Sequence, residues 1–240
     1  MENLKGKKVV VLGGSVGIGF ETAKAAANDG AEVIIVSSNQ QRLDRALSQM
    51  PANAGSFAVD LTDEQQIADL FNTIGQFDHL VFTAGETLQI SNVADTAIDR
   101  ARQFFNIRYW GAFTAVKYAA AHIKKGGSIT FTGGSASRRP DAGWGLGASI
   151  CAAMEGFTRA MALELAPIRV NIVVPGLVKT GLWANMTAEE QTNMFNYFAE
   201  KLPVKYVAGP EDIAKAYLYL MKQPYSTGEA IVVDGGYTLV

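Results

Sequence analysis

The chain has 240 residues, of which 48% are hydrophobic and 18% charged, and its formal net charge is −2. These values are typical of a globular protein with a sizeable core and exclude an intrinsically disordered chain. The chain lacks the basic character that nucleic acids and anionic membranes select, so we expect neither as a partner. The single cysteine, Cys151, excludes an intrachain disulfide. Since the sequence has neither a membrane-spanning apolar run nor a signal-peptide pattern, we expect a soluble cytoplasmic protein.

Short β-branched runs alternate with longer segments of helical periodicity along the chain. Helical segments include residues 20–30, 63–74 and 210–221. The strand candidates are continuous apolar runs, which is typical of parallel strands covered on both faces. They are residues 7–12, 32–37, 56–60, 79–83, 128–132, 169–174 and 229–234. This alternation predicts one doubly wound α/β domain over residues 1–240.

Residues 181–208 interrupt the alternation between the last two strands, and they contain Trp183, Phe195, Tyr197 and Phe198. One interpretation is a helical hairpin with a packed apolar face. The other is a helical lid over a pocket at the carboxyl edge of the sheet, where open α/β sheets bind ligands. The two interpretations are compatible.

A glycine-rich loop follows the first strand directly and precedes the first helix. Gly13, Gly14, Gly17 and Gly19 lie in this loop. Glycines permit a tight turn and allow backbone N–H groups to approach a pyrophosphate, while the helix N-terminus contributes partial positive charge. The strand–loop–helix context therefore predicts a dinucleotide-binding site.

Several segments together resemble the short-chain dehydrogenase/reductase family. The loop GGSVGIG is similar to the family's TGGxxGIG, residues 154–171 to the helix and strand after its active site, and residues 234–236 to its DGG motif. The resemblance covers nearly the whole chain. It implies a single Rossmann domain with a doubly wound parallel sheet, a small-molecule substrate, and a homo-oligomer, usually a tetramer or dimer. The helices around 100–122 and 147–165 would then pack across subunits.

The same resemblance assigns residues to the dinucleotide from the phosphate loop to the nicotinamide end. These cofactor-binding residues are Gly13, Ser15, Gly17, Ile18, Gly19, Asp60, Leu61, Ala84, Gly85, Pro175, Gly176, Val178 and Thr180.

The end of the second strand bears on the choice between NAD and NADP. NAD-selective sites place a carboxylate there to bind the ribose 2′-hydroxyl. This chain has Ser37, Ser38 and Asn39 instead, followed by Arg42. Without a carboxylate to repel a 2′-phosphate, NADP(H) is favoured and NAD(H) remains possible. Arg42 either binds the phosphate or is a solvated first-turn residue.

The family's proton-transfer residues are not found at the matching positions. In the family, a Tyr exchanges the proton, a Lys four residues later lowers its pKa, and a Ser thirteen residues before it binds the carbonyl. Counting back from AMEGFTRAMALELA, these positions fall on Gly147, Cys151 and Gly134. A register slip cannot restore them, because no Tyr lies between Tyr118 and Tyr197 and no Lys between Lys125 and Lys179.

Other residues are therefore candidates for the proton chemistry. Asn106 matches the family's helix Asn, and we predict Asn106, Ser135 and Tyr109 as catalytic residues. Arg138, Arg139 and Asp141 in the following loop are further candidates, although each also has an ordinary structural interpretation. No His/Cys/Asp cluster has the spacing of metal ligands, so we predict no metal.

These observations predict an atypical family member that transfers a hydride between NADP(H) and a carbonyl, imine or enone. An activated substrate would depend less on a general acid, whose loss typically costs about 10²–10⁴-fold. The alternative is a non-catalytic NADP(H)-binding sensor or scaffold with a degenerate active site. A lyase or isomerase on the same fold is a third possibility.

Overall fold

The computed structural model describes residues 3–240, which contain a seven-stranded, fully parallel sheet of order β3-β2-β1-β4-β5-β6-β7. The strands are β1 Lys8–Leu12, β2 Glu32–Ser37, β3 Gly55–Ala58, β4 Phe77–Phe82, β5 Ile123–Thr132, β6 Arg169–Pro175 and β7 Ala230–Val233. This order is that of a Rossmann fold and confirms the predicted doubly wound α/β domain.

Helices cover both faces of the sheet. They are α1 Gly17–Asn28, α2 Gln40–Leu47, α3 Glu64–Ile74, α4 Ile98–Gln103, α5 Ala112–Ala119, α6 Gly145–Glu164, α7 Ala188–Lys201 and α8 Pro210–Lys222. One core cluster joins the sheet to α3, α5 and α6, and the other joins it to α1, α2 and α8.

The two core layers explain the continuous apolar runs. Along β1, Val9 and Val11 contribute to one cluster while Val10 and Leu12 contribute to the other, and all four are fully buried. Each strand residue therefore contacts a helix layer, whichever side it faces.

The strand order reverses at β1, which lies between β2 and β4. Connections leave the carboxyl ends of β1 and β4 in opposite directions, so a crevice forms there, and open α/β sheets bind ligands at such points. The glycine-rich loop after β1, residues 13–19, is called the phosphate loop below after its predicted role. It meets the turn after β4 at this crevice.

The helix expected around 100–122 is interrupted in the structure. Helix α4 ends at Gln103, a π-helical turn spans Asn106–Gly111, and α5 begins at Ala112. The Glu86 carboxylate accepts hydrogen bonds from the backbone N–H groups of Ile107 and Arg108. Because this side chain stabilises N–H groups at the irregular turn, the segment departs from a regular α-helix.

The aromatic-rich segment 181–208 contains a short 3₁₀ turn at Gly181–Trp183 followed by the single helix α7. Trp183 is buried, whereas α7 has no buried residue. The segment is therefore one helix lying on the surface rather than a helical hairpin. None of the helices in residues 3–240 has the length and apolarity needed to cross a membrane.

Candidate active site

The phosphate loop is packed against the turn after β4. Gly13 has φ +85°, and a Cβ there would lie 2.5 Å from the backbone nitrogen of Ala84. A Cβ on Gly19 would overlap the Gly13 carbonyl oxygen and the Thr83 hydroxyl. Only glycine satisfies both the backbone conformation at position 13 and the close approach at position 19.

Helix α1 begins in this loop with an open N-terminus. Its N-cap residue, Val16, provides no side-chain hydrogen bond, and the first turn contains no acidic residue. The first backbone N–H groups and the partial positive charge of the helix therefore suit an anion. Thr180 lies beside this turn, since its Cβ is 3.7 Å from the position of a Cβ on Gly17. Ser15 is buried next to the turn, and Ile18 is half-buried within it.

The end of β2 leads into α2 on the other side of the loop. Asn39 caps α2 by accepting a 2.9 Å hydrogen bond from the backbone N–H of Arg42, and the backbone N–H of Asn39 donates to the Ser37 hydroxyl at 3.4 Å. Ser38 is exposed between them.

A cavity of about 340 Å³ separates the phosphate loop from α2, and both Arg42 and Arg45 line it, together with Ser15 and Val16. Arg45 is not among the residues predicted from the sequence. Its position three residues after Arg42, on the same helix face, was the available signal.

Asp60 and Leu61, which the sequence predicts as cofactor-binding residues, lie in the turn after β3. The Asp60 carboxylate accepts hydrogen bonds from the backbone N–H and the hydroxyl of Thr62, at 2.9 and 2.8 Å. Leu61 is buried beneath this turn. The hydrogen bonds within the turn hold Asp60 at the edge of the crevice.

The segment after β6 forms the opposite wall. At its start, Pro175 ends β6, and Gly176 approaches the backbone of Asp234, since a Cβ at position 176 would lie 2.8 Å from the Asp234 Cα. The Val178 carbonyl accepts a 2.9 Å hydrogen bond from the Trp183 indole N–H.

A second cavity, of about 480 Å³, lies between this wall and helix α7. Gly17, Thr180 and Phe195 are among its lining residues. Helix α7 therefore borders the same crevice as the phosphate loop.

The three positions aligned with the family's catalytic residues come together near the start of α6. A Cβ on Gly134 would lie 3.0 Å from the Cys151 sulfur. Gly147 is one helical turn before Cys151, and a Cβ on it would lie 3.2 Å from the Trp144 ring. Ser135, adjacent to Gly134, is buried here. These positions thus share one small region of the structure.

Arg108 extends its guanidinium into this same region. A Cβ on Gly85 would lie 2.6 Å from Nη2 of Arg108. Burial raises the pKa of the Cys151 thiol, while the neighbouring Arg108 charge opposes this effect by favouring the thiolate. Arg108 is not among the residues predicted from the sequence. Its signal was a single cation in the otherwise apolar and aromatic stretch FNIRYWGAF.

The other two predicted catalytic residues lie on the same π-helical turn. Asn106 is exposed. The half-buried Tyr109 ring packs against Phe157, with centroids 6.0 Å apart, and adjoins the cluster that includes Cys151. The structure therefore places Ser135 with the aligned positions, Tyr109 in packing beside them, and Asn106 towards solvent.

The loop after the 3₁₀ turn Ser135–Ser137 is hydrogen-bonded to residues near the C-terminus. Arg139 donates to the backbone carbonyl of Tyr237, and the Tyr237 hydroxyl donates to the Asp141 carboxylate at 3.3 Å. Arg138 forms a 3.2 Å ion pair with Glu155. These candidates thus have structural partners in the chain.

Metal ligation receives no support from residues 3–240, which contain no group of three or more His, Cys, Asp or Glu side chains arranged to hold an ion. His79 lies within the sheet, where its Nδ1 is 2.9 Å from the Ser128 hydroxyl. Burial, with a contribution from the charge of Arg169, lowers its pKa to about 4.

Comparisons with known proteins agree with this architecture. A family model described as enoyl-(acyl carrier protein) reductase matches residues 13–238. The short-chain dehydrogenase/reductase ATR9 of Stachybotrys chlorohalonatus is 34% identical over 98% of this chain and 98% of its own length. The short-chain dehydrogenase/reductase malC of Malbranchea aurantiaca is 31% identical over 98% of this chain and 96% of its own length.

Solved structures give the same result. A small-chain dehydrogenase in complex with NADPH is 38% identical, with a TM-score of 0.86 and coverage of 98% of this chain and 99% of that one. The MalC reductase/Diels-Alderase from Malbranchea aurantiaca is 30% identical, with a TM-score of 0.93 and coverage of 100% and 99%. With its strand order, its phosphate loop and these full-length similarities, the chain belongs to the short-chain dehydrogenase/reductase family.

Proposed function

We propose that this chain is an NADP(H)-dependent oxidoreductase that transfers a hydride to or from a small carbonyl, imine or enone without the family's Tyr–Lys pair. The observation that carries the proposal is the phosphate loop. Its glycines bring the backbone of Gly13 against the β4 turn, and the start of α1 has no side-chain cap. These features fit a dinucleotide pyrophosphate.

The preference for NADP(H) is supported at the α2 side of the loop. No carboxylate occurs at residues 37–39, and Arg42 and Arg45 line the adjoining cavity. Two guanidinium groups provide the charge and the donors that a 2′-phosphate requires. The 38% identical small-chain dehydrogenase whose structure contains NADPH is consistent with this preference.

The proposed reaction needs little proton transfer from the protein. A bound reduced nicotinamide supplies the hydride, and the chain's residues position the substrate beside it. Gly147 and Cys151 provide neither a phenol nor a fixed cation. The region around Gly134, Ser135 and Trp144 therefore suits an acceptor that is already activated, with water delivering any proton.

Two further features belong to the proposal. Helix α7 would act as a lid, because it borders the second cavity and has no buried residue. The protein would form a homo-oligomer through the outer faces of the π-helical turn, α5 and α6, where Trp110, Phe113 and Leu163 respectively are exposed.

The first experiment titrates the protein with NADPH and NADH by fluorescence, then follows NADPH consumption with ketones, cyclic imines and enones. We expect tighter binding of NADPH and turnover of imines or enones in preference to simple ketones. Tight binding with no turnover on the whole panel would favour the sensor alternative. Tighter NADH binding would contradict the cofactor preference.

The second experiment restores the missing pair with Gly147→Tyr and Cys151→Lys. Because a lysine at position 151 would place its ammonium beside Arg108, the pair is also combined with Arg108→Asn. We expect reduction of simple ketones to appear in at least the triple variant. Folded variants that bind NADPH and remain inactive on ketones would refute the assignment of these positions.

A further inference from the structure

We propose that Arg108 is a catalytic residue whose guanidinium binds the carbonyl oxygen of a conjugated substrate, an enal or enone, between Gly85 and Cys151. This inference rests on the proposed function, since it names the substrate class of the same site. It also assigns the site's cation to a residue of the π-helical turn rather than to α6.

The position of Arg108 follows from contacts on two sides. On one side, its Nη2, Nε and Cζ would lie 2.6, 2.9 and 3.2 Å from a Cβ on Gly85, so the guanidinium rests on a residue with no side chain. On the other side lies the Cys151 thiol, at the position aligned with the family's lysine. The guanidinium charge therefore acts on the residue that aligns with the family's lysine.

The π-helical turn explains why Arg108 points inward. The Glu86 carboxylate accepts from the backbone N–H of Arg108 at 3.2 Å and also from that of Ile107. Glu86 follows Gly85 directly, so the anchor of the turn and the surface beneath the guanidinium belong to one segment. This arrangement holds the backbone of Arg108 and leaves its side chain available.

Across residues 3–240, the guanidinium has no carboxylate within 4.0 Å. Its neighbour on the α6 side is the Cys151 thiol, a weak and uncharged hydrogen-bond partner. Arg108 is nevertheless half-buried. A partly desolvated cation without an anionic partner is costly, and a ligand with an electron-rich oxygen would offset that cost.

Guanidinium chemistry decides which substrates fit. Arginine remains charged at any working pH and presents five donors, so it stabilises a developing oxyanion but does not release a proton. It would repel a cationic iminium. A conjugated carbonyl suits the site because it becomes an enolate, and the negative charge then accumulates on the oxygen that faces the donors.

The proposed step balances as a two-electron reduction. The β-carbon of the substrate gains a hydride from the reduced nicotinamide cofactor, which leaves oxidised. The electron pair of the C=C bond moves into the conjugated system, and the resulting enolate oxygen accepts hydrogen bonds from Arg108. Water then supplies one proton to the α-carbon and leaves hydroxide to the buffer, so the C=C bond is saturated and the carbonyl is retained.

The test compares Arg108→Met and Arg108→Lys with Arg102→Met, a matched control at an exposed arginine of α4. Each variant is checked by circular dichroism and thermal melting. Three quantities are measured: the Kd for NADPH, the affinity of the NADP⁺ complex for 4-nitrophenolate from its absorbance, and kcat/KM for 2-cyclohexen-1-one. 4-Nitrophenolate mimics an enolate and reports on the guanidinium without turnover.

For Arg108→Met we expect an NADPH Kd within about threefold of wild type, 4-nitrophenolate binding weakened at least about tenfold, and kcat/KM about 10²–10³-fold lower. Arg108→Lys should recover part of both losses, and Arg102→Met should change nothing. If Arg108→Met does not fold, Arg108→Lys and Arg108→Gln provide the comparison.

Unchanged 4-nitrophenolate binding in a folded Arg108→Met protein would overturn the inference, as would reduction of a cyclic iminium in preference to the enone by wild type. If wild type binds NADPH but reduces none of the enones, the phenolate measurement alone decides the role of Arg108 as a donor. Failure of wild type to bind NADPH would instead refute the proposed function, and this inference with it.

Discussion

At the scale of single residues, position 19 has the least room for a side chain within the phosphate loop. A methyl group there would overlap the Gly13 carbonyl oxygen and the Thr83 hydroxyl. We expect Gly19→Ala to displace the loop from the β4 turn and to weaken NADPH binding at least about tenfold, because misplaced N–H groups no longer meet the pyrophosphate. Fluorescence titration measures the Kd.

The matched control is Gly156→Ala in α6, where a Cβ would have no heavy atom within 4 Å. Alanine there should raise the free energy of unfolding by about 0.5–1 kcal/mol, the usual difference between the two residues inside a helix. Equal NADPH affinity in Gly19→Ala and wild type would contradict the close packing of the loop.

The cavity beside α2 predicts a cofactor effect that is specific to the 2′-phosphate. We expect the double variant Arg42→Ala with Arg45→Ala to raise the Kd for NADPH about tenfold or more, because each charged hydrogen bond contributes about 1.5–3 kcal/mol. The Kd for NADH should stay unchanged, since NADH has no 2′-phosphate. Arg100→Ala, an exposed arginine of α4, is the control, and an equal loss for both cofactors would point to a general effect on the loop.

His79 gives a prediction for the dependence of stability on pH. Its pKa is about 4 in the folded protein because of burial, against an ordinary value of 6.5. The folded state therefore binds the proton less readily than the unfolded state, and stability present above pH 6.5 is lost as the pH falls towards 4. The resulting decrease in the free energy of unfolding amounts to about 3 kcal/mol by pH 4.

We expect His79→Gln, which can keep the hydrogen bond to Ser128, to lose less stability between pH 7 and pH 4 than wild type does. Urea denaturation at several pH values measures this slope. His122→Gln serves as the control and should follow wild type. Parallel slopes for wild type and His79→Gln would show that His79 is not responsible for the acid sensitivity.

At the scale of elements, α7 depends on its cap more than on core packing. Thr187 and Glu190 form a capping box, with hydrogen bonds of 3.2 and 2.7 Å to each other's backbone N–H groups. No residue of the helix is buried. A surface helix of this kind opens locally at a free-energy cost well below that of global unfolding.

We expect Thr187→Ala to destabilise α7 by about 1 kcal/mol and to speed its amide hydrogen exchange, with little change in the global melting temperature. Thr187→Ser, which keeps the hydroxyl, is the matched control. If α7 is a lid, NADPH and substrate together should slow this exchange. Exchange in α7 that is as slow as in the buried strands would contradict both expectations.

At the scale of the whole molecule, exposed apolar side chains occur on the π-helical turn, α5 and α6. Trp110, Phe113 and Leu163 are 56%, 45% and 84% exposed. The Trp110 and Phe113 rings are adjacent, with centroids 6.2 Å apart, and exposed apolar groups of this size are typical of subunit interfaces. This surface agrees with the oligomer implied by the family resemblance.

We expect the wild-type protein to be a dimer or tetramer by light scattering, and Trp110→Lys to reduce the oligomer size, because a desolvated ammonium would oppose association. Tyr206→Lys, at a residue of similar exposure beyond α7, is the control. A monomeric wild type, or a Trp110→Lys protein of unchanged mass, would argue against this interface.

Local patterns in the sequence were enough to predict the fold. Continuous apolar runs, such as Val9–Leu12, have buried side chains on both sheet faces, so periodicity alone indicated parallel strands between two helix layers. Gly13 and Gly19 lie between a strand and a helix, and that context identified the phosphate loop. These signals could be read because each depends on residues that are adjacent in the chain.

Which side chains meet in the candidate active site could be learned only from the tertiary structure. Asn106 is a candidate from the sequence because it matches the family's helix Asn, whereas the π-helical turn held by Glu86 directs Arg108 towards Gly85 and Cys151. One additional residue in a turn rotates the positions after it by about 100°. The carboxylate that stabilises this turn is 21 residues before Ile107 in the chain. Sequence alone determined the sheet, its phosphate loop and the absence of Tyr and Lys from the α6 segment, because these are properties of neighbouring residues. Only the packed structure decided which cation lies beside Cys151, because that depends on contacts between distant segments.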